Sequence, residues 1–520
     1  MEFPWLTTLA VLPLLGAAAL IFIKGTAAKQ VAVAVSVLTL IIGIVVAVRF
    51  NPAGGMQFIE QVPWIEALGV NYALGLDGIG LTLVLLVAVV TPVVIIAAWN
   101  DADPVDSSTS EPIAGTTRVA PKYDARVFFA LVLVVEGVAL LLFTATDVFL
   151  FYIFFEIILI PMYFLIGGFG GARRAQAATK FLIYGLLGGF VMLAAVIGLW
   201  VVSSQQGDPS YLLSDLRNLP IDENTQRLLF CGFMFAFAIK APLVPFHTWL
   251  PDAAEESTPG GATMMVGVMD KLGTFGMIRF CLELFPDASR WATPVILVLA
   301  VISIIYGAIM AVASKNLMRF ISYTSISHFG FIVLGIFAFT TQSMVGSTLY
   351  MLNHGLSTAA LFLVAGYLIK RRGSALIADF GGVQKVAPVM GGLFLFGALA
   401  TVSLPGLSSF VSEFMVLAGT FGRHPVFAII ATSGIVLAAV YMLLTYQRTM
   451  TGPISADVEA TMSDVGLRER LALAPVVLLI LAIGFFPKPL LDVIEPAVTA
   501  TMSQTGVTDP QPMISAEGER

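Results

Sequence analysis

Between Phe237 and Asp252 the chain reads FAIKAPLVPFHTWLPD, an apolar helix that runs into a lysine and then two prolines. An ammonium near a bilayer midplane costs roughly 2.5–3.5 kcal/mol on insertion scales, so Lys240 marks a functional site whose partner must be found. Pro242 and Pro245 sharpen that reading. Each lacks an N–H, which removes the helical donors for the carbonyls of Ala238 and Ala241. A broken helix survives inside a membrane only where protein or water satisfies the freed groups. A lysine at such a break points to a hydrated ion path.

The rest of the chain supplies the membrane. Of 520 residues, 58% are hydrophobic and 12% charged, and the mean hydropathy is +0.93. That composition excludes a large soluble α/β protein. The net charge of −6 is spread over loops and gives no footing for nucleic acid. Cys231 and Cys281 are far apart, and the sequence has neither a four-cysteine cluster pattern nor a GxGxxG fingerprint. The chain is therefore expected to hold no flavin, nicotinamide, iron–sulfur cluster or metal of its own. The start, Met-Glu-Phe-Pro-Trp, lacks a basic n-region, so the first apolar run reads as a retained helix.

A bilayer core takes about 20 apolar residues per helix. Spans are expected near 5–23, 31–48, 76–98, 127–145, 147–167, 180–203, 227–247, 261–284, 293–313, 320–340, 345–369, 390–420, 426–447 and 470–487, about 14 in all. Pro405 and Gly406 are expected to split 390–420. Asp101 to Arg126, acidic and rich in Ser and Thr, reads as a surface loop. Loops after odd-numbered spans carry seventeen basic residues against eight on the other side, with Lys240 and Lys271 inside spans. By the positive-inside rule the odd loops are cytoplasmic and both termini lie outside a plasma membrane.

Pro242 and Pro405 stand 163 residues apart, each in the fourth span of a five-span unit. Because five is odd, consecutive units have opposite orientation, the inverted-repeat plan of many transporters. The expected fold is thus all-α and polytopic. It comprises three N-terminal helices with the loop (1–126), two five-helix repeats each holding a broken helix (127–292 and 293–448), and a final helix with an outer tail (449–520).

Ionisable groups recur at membrane depth. Glu156, within FEIILIPMYFLIGGFG (Phe155–Gly170), must be neutral, hydrated or paired, and Lys240 is its natural counter-ion. Glu136 faces the same choice in weaker context and could occupy a hydrated edge. Lys271 follows Asp270 in MDKLGTFGMIRF (Met269–Phe280); both lie deep in a span or snorkel towards one face. His328 in SYTSISHFG (Ser322–Gly330) and His354 in NHGLSTAALFL (Asn353–Leu363) could bind a haem. Their hydroxyl and amide surroundings suit a proton relay better. His247 and His424, near span ends, read as interfacial, with His247 a possible addition to the path. Glu413 follows the Pro405 break in TVSLPGLSSFVSEFMVL (Thr401–Leu417), at about the place Lys240 has in the first repeat.

Taken together, FEIILIPMYFLIG, KAPLVPFHTWLPDA, SYTSISHFG, NHGLSTAALFL and SEFMVL resemble the antiporter-like subunits of respiratory complex I (NADH:quinone oxidoreductase), most closely the M type. The resemblance runs along nearly the whole chain. It implies that Glu156 is the channel glutamate, Lys240 the broken-helix lysine, Lys271 the connecting lysine, His328 and His354 the central histidines, and Glu413 the terminal site. A terminal glutamate separates the M type from the L and N types, which usually carry lysine there. The chain departs from the family at TPGGATMMVGVMDK (Thr258–Lys271), where the approach to the lysine is generally more apolar, and in the long acidic loop. The resemblance further implies proton translocation driven from neighbouring subunits. NADH, FMN, iron–sulfur clusters and quinone would be bound by partners, and L-type and N-type subunits and lipids would surround this chain. A cation/proton antiporter subunit and a membrane cytochrome are the rival readings.

The orientation is testable with Ser110→Cys and Ser515→Cys, each made after Cys231 and Cys281 are replaced by serine. An impermeant thiol reagent should label the first from the cytoplasmic face and the second from outside. Labelling of both from one side would refute an odd number of spans between them.

Overall fold

The computed structural model describes residues 3–103 and 119–511. Most of the acidic loop predicted for Asp101 to Arg126, namely 104–118, lies outside the described residues, as do 1–2 and 512–520.

In lipid a backbone can satisfy its polar groups only internally, and the apolar runs accordingly become helices. The chain opens with α1 (Trp5–Ala19) and α2 (Thr26–Arg49), then forms an antiparallel hairpin from β1 (Gln57–Ile65) and β2 (Val70–Leu76). The bundle continues with α3 (Gly78–Ala97), α4 (Ala125–Thr144), α5 (Val148–Ile157), α6 (Leu159–Phe169), α7 (Arg174–Ser204), the short α8 (Leu213–Leu216) and α9 (Glu223–Lys240). Beyond the first break come α10 (Trp249–Glu256), α11 (Pro259–Met264) and α12 (Lys271–Gly276), and then α13 (Pro286–Ala313), α14 (Leu317–Ile336) and α15 (Thr341–Arg372). The second break separates α16 (Pro388–Thr401) from α17 (Ser408–Arg423), followed by α18 (Pro425–Met450), α19 (Ala456–Thr461), α20 (Leu467–Phe485) and α21 (Lys488–Gln504). Among the described residues nine spans are long and apolar enough to cross a membrane, α5 and α6 counting as one, or ten if α20 and α21, bent by 74°, form a further one. Segments 227–247, 261–284 and 390–420, each expected as a crossing, are divided into shorter pieces.

The hairpin was not anticipated, because its alternating polar residues carry no long apolar run. It anchors its end of the bundle by capping helices. Glu60 accepts from the N–H groups of Leu6 (2.7 Å) and Thr7 (3.1 Å), placing a carboxylate at the N-terminus of α1. Asp147 accepts from Phe149 and Leu150 at the start of α5 and from Asn71 on β2, each at 2.9 Å. The same end holds a four-charge cluster. Arg279, only 4% exposed, donates to Asp77 (2.6 Å) and Glu283 (3.1 Å), and Glu283 also receives Arg217 (3.0 Å) and the Thr501 hydroxyl (2.9 Å). The cluster thereby joins the start of α3, the loop after α8, the turn after α12, and α21.

The loops at the other end of α7 pair differently. Asp252 of α10 binds Lys180 (2.6 Å) and Arg319 (2.7 Å), Glu256 binds Arg173 (3.0 Å), and Arg371 binds Glu469 (2.6 Å). Burial alone would raise the Asp252 carboxyl, but Lys180 and Arg319 hold it below its ordinary value.

Removing one member of a buried ion network leaves the others uncompensated, at a cost of about 3–5 kcal/mol. Arg279→Met should therefore lower the thermal stability of the detergent-solubilised protein, and Asp77→Asn combined with it should recover part of the loss. An unchanged melting temperature for Arg279→Met would show that the cluster contributes nothing to the fold.

Candidate functional site

The helical ladder of α9 stops at Lys240 because Pro242 cannot continue it, and the freed groups find substitutes. Leu243 N–H reaches back to the carbonyl of Ala238 (3.0 Å), the Trp249 indole donates to Ile239 (2.9 Å), and the Ser303 hydroxyl receives Val244 N–H (3.0 Å). The break leaves Lys240 2% exposed. Its Nζ lies 4.6 Å from the centre of the Phe155 ring and has no hydrogen-bond partner among the described residues. Glu156 is the next residue along α5, and its buried Oε1 is likewise unpartnered there. The two groups interact electrostatically without forming an ion pair. Glu156 in this rotamer lies over Gly189: a Cβ there would stand 1.9 Å from Oε1 and would push the carboxylate aside.

Lys271 begins α12 between two π-helical turns, 265–269 and 277–282, a local widening often found at functional sites. Its Nζ donates to the carbonyl of Val266 (2.5 Å) and meets His354 Nδ1 at 2.8 Å. With the ammonium as donor, the imidazole keeps its own proton on Nε2. The rings of His354 and His328 are 5.6 Å apart at 50°. From His328 the contacts continue without interruption. Its Nδ1 is 2.7 Å from the Tyr350 hydroxyl, which donates to Glu413 Oε2 at 3.2 Å, and Ser403 donates to the same oxygen. Tyr441 approaches the other side of His328, 3.5 Å from Nε2. Glu413 itself is 3% exposed. The second break resembles the first in its repairs: Leu404 N–H bonds Leu399 (3.1 Å), and the Asn353 amide donates to the carbonyl of Ser408 (2.7 Å).

Residues 145–438 match the family described as NADH:quinone oxidoreductase/Mrp antiporter, TM. NADH-quinone oxidoreductase subunit M of Mycobacterium tuberculosis (strain H37Rv) is 52% identical, covering 98% of this chain and 96% of that protein. Subunit M of Rhodobacter capsulatus is 34% identical over 95% of each. The chain belongs to the NADH:quinone oxidoreductase/Mrp antiporter family. Among solved structures, a chain of respiratory complex I from Thermus thermophilus with bound NADH superposes with a TM-score of 0.86 at 30% identity, covering 96% of this chain and 100% of that one. A chain of the Mrp complex from Dietzia sp. DQ12-45-1b shares the fold, with a TM-score of 0.81 at 20% identity over 97% of this chain and 100% of that one. The resemblance drawn from the five sequence stretches is borne out.

Within this antiporter-family fold, Lys271, His354, His328 and Glu413 are brought into one file, and Lys240 and Glu156 adjoin it. Glu136 is elsewhere. It is fully buried on α4, with both oxygens unpartnered among the described residues, and so does not occupy the hydrated edge suggested for it. His247 is not interfacial in this fold either. It is 4% exposed at the α9–α10 break, its ring 4.9 Å from that of Tyr306. Sequence reasoning missed Tyr350, Tyr441 and Gly189. Tyr350 had a usable signal, since it lies four residues before His354 on α15 and therefore on the same helix face.

Tyr350→Phe removes only the hydroxyl that joins His328 to Glu413. Proton uptake driven by NADH in inverted membrane vesicles should fall severalfold, while NADH oxidation by an artificial acceptor persists. Unchanged uptake would show that the bridge carries no protons.

Proposed function

We propose that the chain is a proton-translocating subunit of the membrane arm of an NADH:quinone oxidoreductase, as its relatives' shared name, NADH-quinone oxidoreductase subunit M, suggests. The observation that carries this reading is the file Lys271–His354–His328–Tyr350–Glu413, a buried line of exchangeable groups that begins beside Lys240. Proton relays in membranes are built from such mixtures, whereas a structural charge cluster would close on itself as Arg279 does.

In this reading a proton enters from the cytoplasm. The route is supported by a face of α7 on which Lys180 bonds Asp252 and Tyr184 bonds Thr248 (2.7 Å), next to His247. The proton loads Lys240. Opening or closing of the Glu156–Lys240 pair changes how that lysine holds it, and the proton then passes through Lys271 and the two histidines to Glu413, which releases it outside. The trigger arrives electrostatically from neighbouring membrane subunits, L-type and N-type among them. NADH, FMN, iron–sulfur clusters and quinone are handled by other subunits, and none is assigned to this chain.

The proposal includes fourteen crossings and two inverted five-helix repeats, 127–292 and 293–448, in a bacterial plasma membrane. The repair of both helix breaks by neighbouring side chains supports the repeats. The orientation, with both termini outside, is supported by the pairing of basic loop residues at the end away from the hairpin.

Glu156→Gln and Glu413→Gln preserve shape and remove titration. Each should abolish or sharply reduce NADH-driven proton uptake in inverted vesicles while acceptor-linked NADH oxidation shows that the complex is assembled. Glu156→Asp and Glu413→Lys should retain part of the uptake. Normal pumping by both glutamine variants would sink the mechanism, and purification without NADH dehydrogenase subunits would favour a stand-alone antiporter assembly instead.

A further inference from the structure

The file of neighbouring polar groups starts at Lys271, but the proposed entry site is Lys240, and no hydrogen bond joins the two lysines. The residue between them is Asp270. It is fully buried, and neither carboxylate oxygen has a hydrogen-bond partner among the described residues. A buried carboxyl left this way demands an account.

The packing of α12 shows which way Asp270 faces. Gly273, one turn further on, lies directly against the end of α9: a Cβ there would stand 2.6 Å from Ala241 N and from the Phe237 carbonyl. A Cβ on Gly276 would strike the Phe237 ring. Asp270, three residues before Gly273 and four before Thr274, therefore lies between the side of α12 turned to α9, where Lys240 ends the helix, and the side turned to α15. Lys271 faces another neighbour. With Thr274, which reaches Met351, it looks onto α15, and its ammonium meets His354. The π-helical turns on either side confine this arrangement to one short helix. Asp270 interacts electrostatically with Lys240 and with Lys271, and Lys240 with both Glu156 and Asp270.

Resting on the proton-translocation reading above, we propose that Asp270 is the carrier that takes the proton from Lys240 and hands it to Lys271. Three states suffice. In the first, Lys240 is an ammonium, Asp270 a carboxylate and Lys271 a neutral amine. In the second, Lys240 Nζ–H has broken and an Asp270 O–H has formed, so all three groups are neutral. In the third, the Asp270 O–H has broken, Lys271 is the ammonium and Asp270 is again a carboxylate. Each state has zero net charge over the three groups. The apolar surroundings consequently never hold an unbalanced charge while the proton moves, which is the condition buried ions must meet. Glu156 then acts on Lys240 as a competitor to Asp270 for the same ammonium.

The test uses the whole complex in inverted vesicles. Asp270→Asn keeps the shape and removes the carrier, and proton uptake per NADH oxidised should fall severalfold. Asp270→Glu should restore a substantial part. A fixed counter-ion would also be lost in Asp270→Asn, so infrared difference spectra on NADH-driven turnover provide the deciding readout. A protonated-carboxylic-acid band should appear in the wild type and be missing in Asp270→Asn. Normal uptake in Asp270→Asn, with Glu156→Gln defective alongside it, would overturn the carrier while leaving the wider reading intact. Absence of the Asp270-dependent band would overturn it as well. If Glu156→Gln and Glu413→Gln both pump normally, the underlying reading fails first.

Discussion

Every polar backbone group in the hydrocarbon layer must be satisfied from within the protein, and the site exists because two helices violate that requirement locally. Pro242 and Pro405 each end a helix inside the bundle, and each break is tolerated because neighbours supply the missing partners. Trp249, Ser303 and Leu243 serve the first, and Asn353 and Leu404 the second. The repairs fix the ends of α9 and α17, and so fix Lys240 and Glu413. A charged group at a helix end that protein side chains already surround can be buried without lipid touching it.

The electrostatics follow from that placement. Between the breaks, α14 and α15 are the most enclosed of the long apolar helices among the described residues, each 94% buried along its apolar stretch. Water reaches such an interior only along polar side chains. Serine, threonine, tyrosine and histidine on α14 and α15 supply that polar lining. The same enclosure explains why the strong ion pairs lie near the two ends and the unpaired ionisable groups lie in the middle. Arg279 and Arg319 bind their carboxylates firmly, whereas Lys240, Glu156 and Asp270 have no bonded partner among the described residues. A group locked in an ion pair holds its proton, and one without a partner can exchange it.

Much of this could be read from the chain alone. Lys240, Glu156, Lys271 and Glu413 stand out because charge inside an apolar run is costly, and the prolines announce the breaks. The π-helical turns around Lys271, which pack against α15 and α9, leave no comparable mark. Asp270 was visible, but the face it presents depends on Gly273 fitting against Ala241. The hairpin escaped because period-two alternation is a weak signal in a chain scanned for long apolar runs. Tyr350 looked like one aromatic among many until α14 and α15 brought it between His328 and Glu413.

The last helices bear on how transport can occur at all. After the 74° bend, α21 and the segment behind it cross the hairpin end, where Thr501 bonds Glu283, the Thr505 carbonyl accepts from Arg290, the Thr508 carbonyl accepts from Arg423, and Asp509 accepts from the Thr341 N–H. One strap is therefore fastened to both halves of the bundle. A strap hydrogen-bonded to both halves opposes the swing of one against the other on which rocking-bundle carriers depend. Side-chain rotation and the making and breaking of water files remain as the moving parts. A fold braced in this way suits cargo that hops between fixed groups, as protons do, better than a solute that must be carried whole.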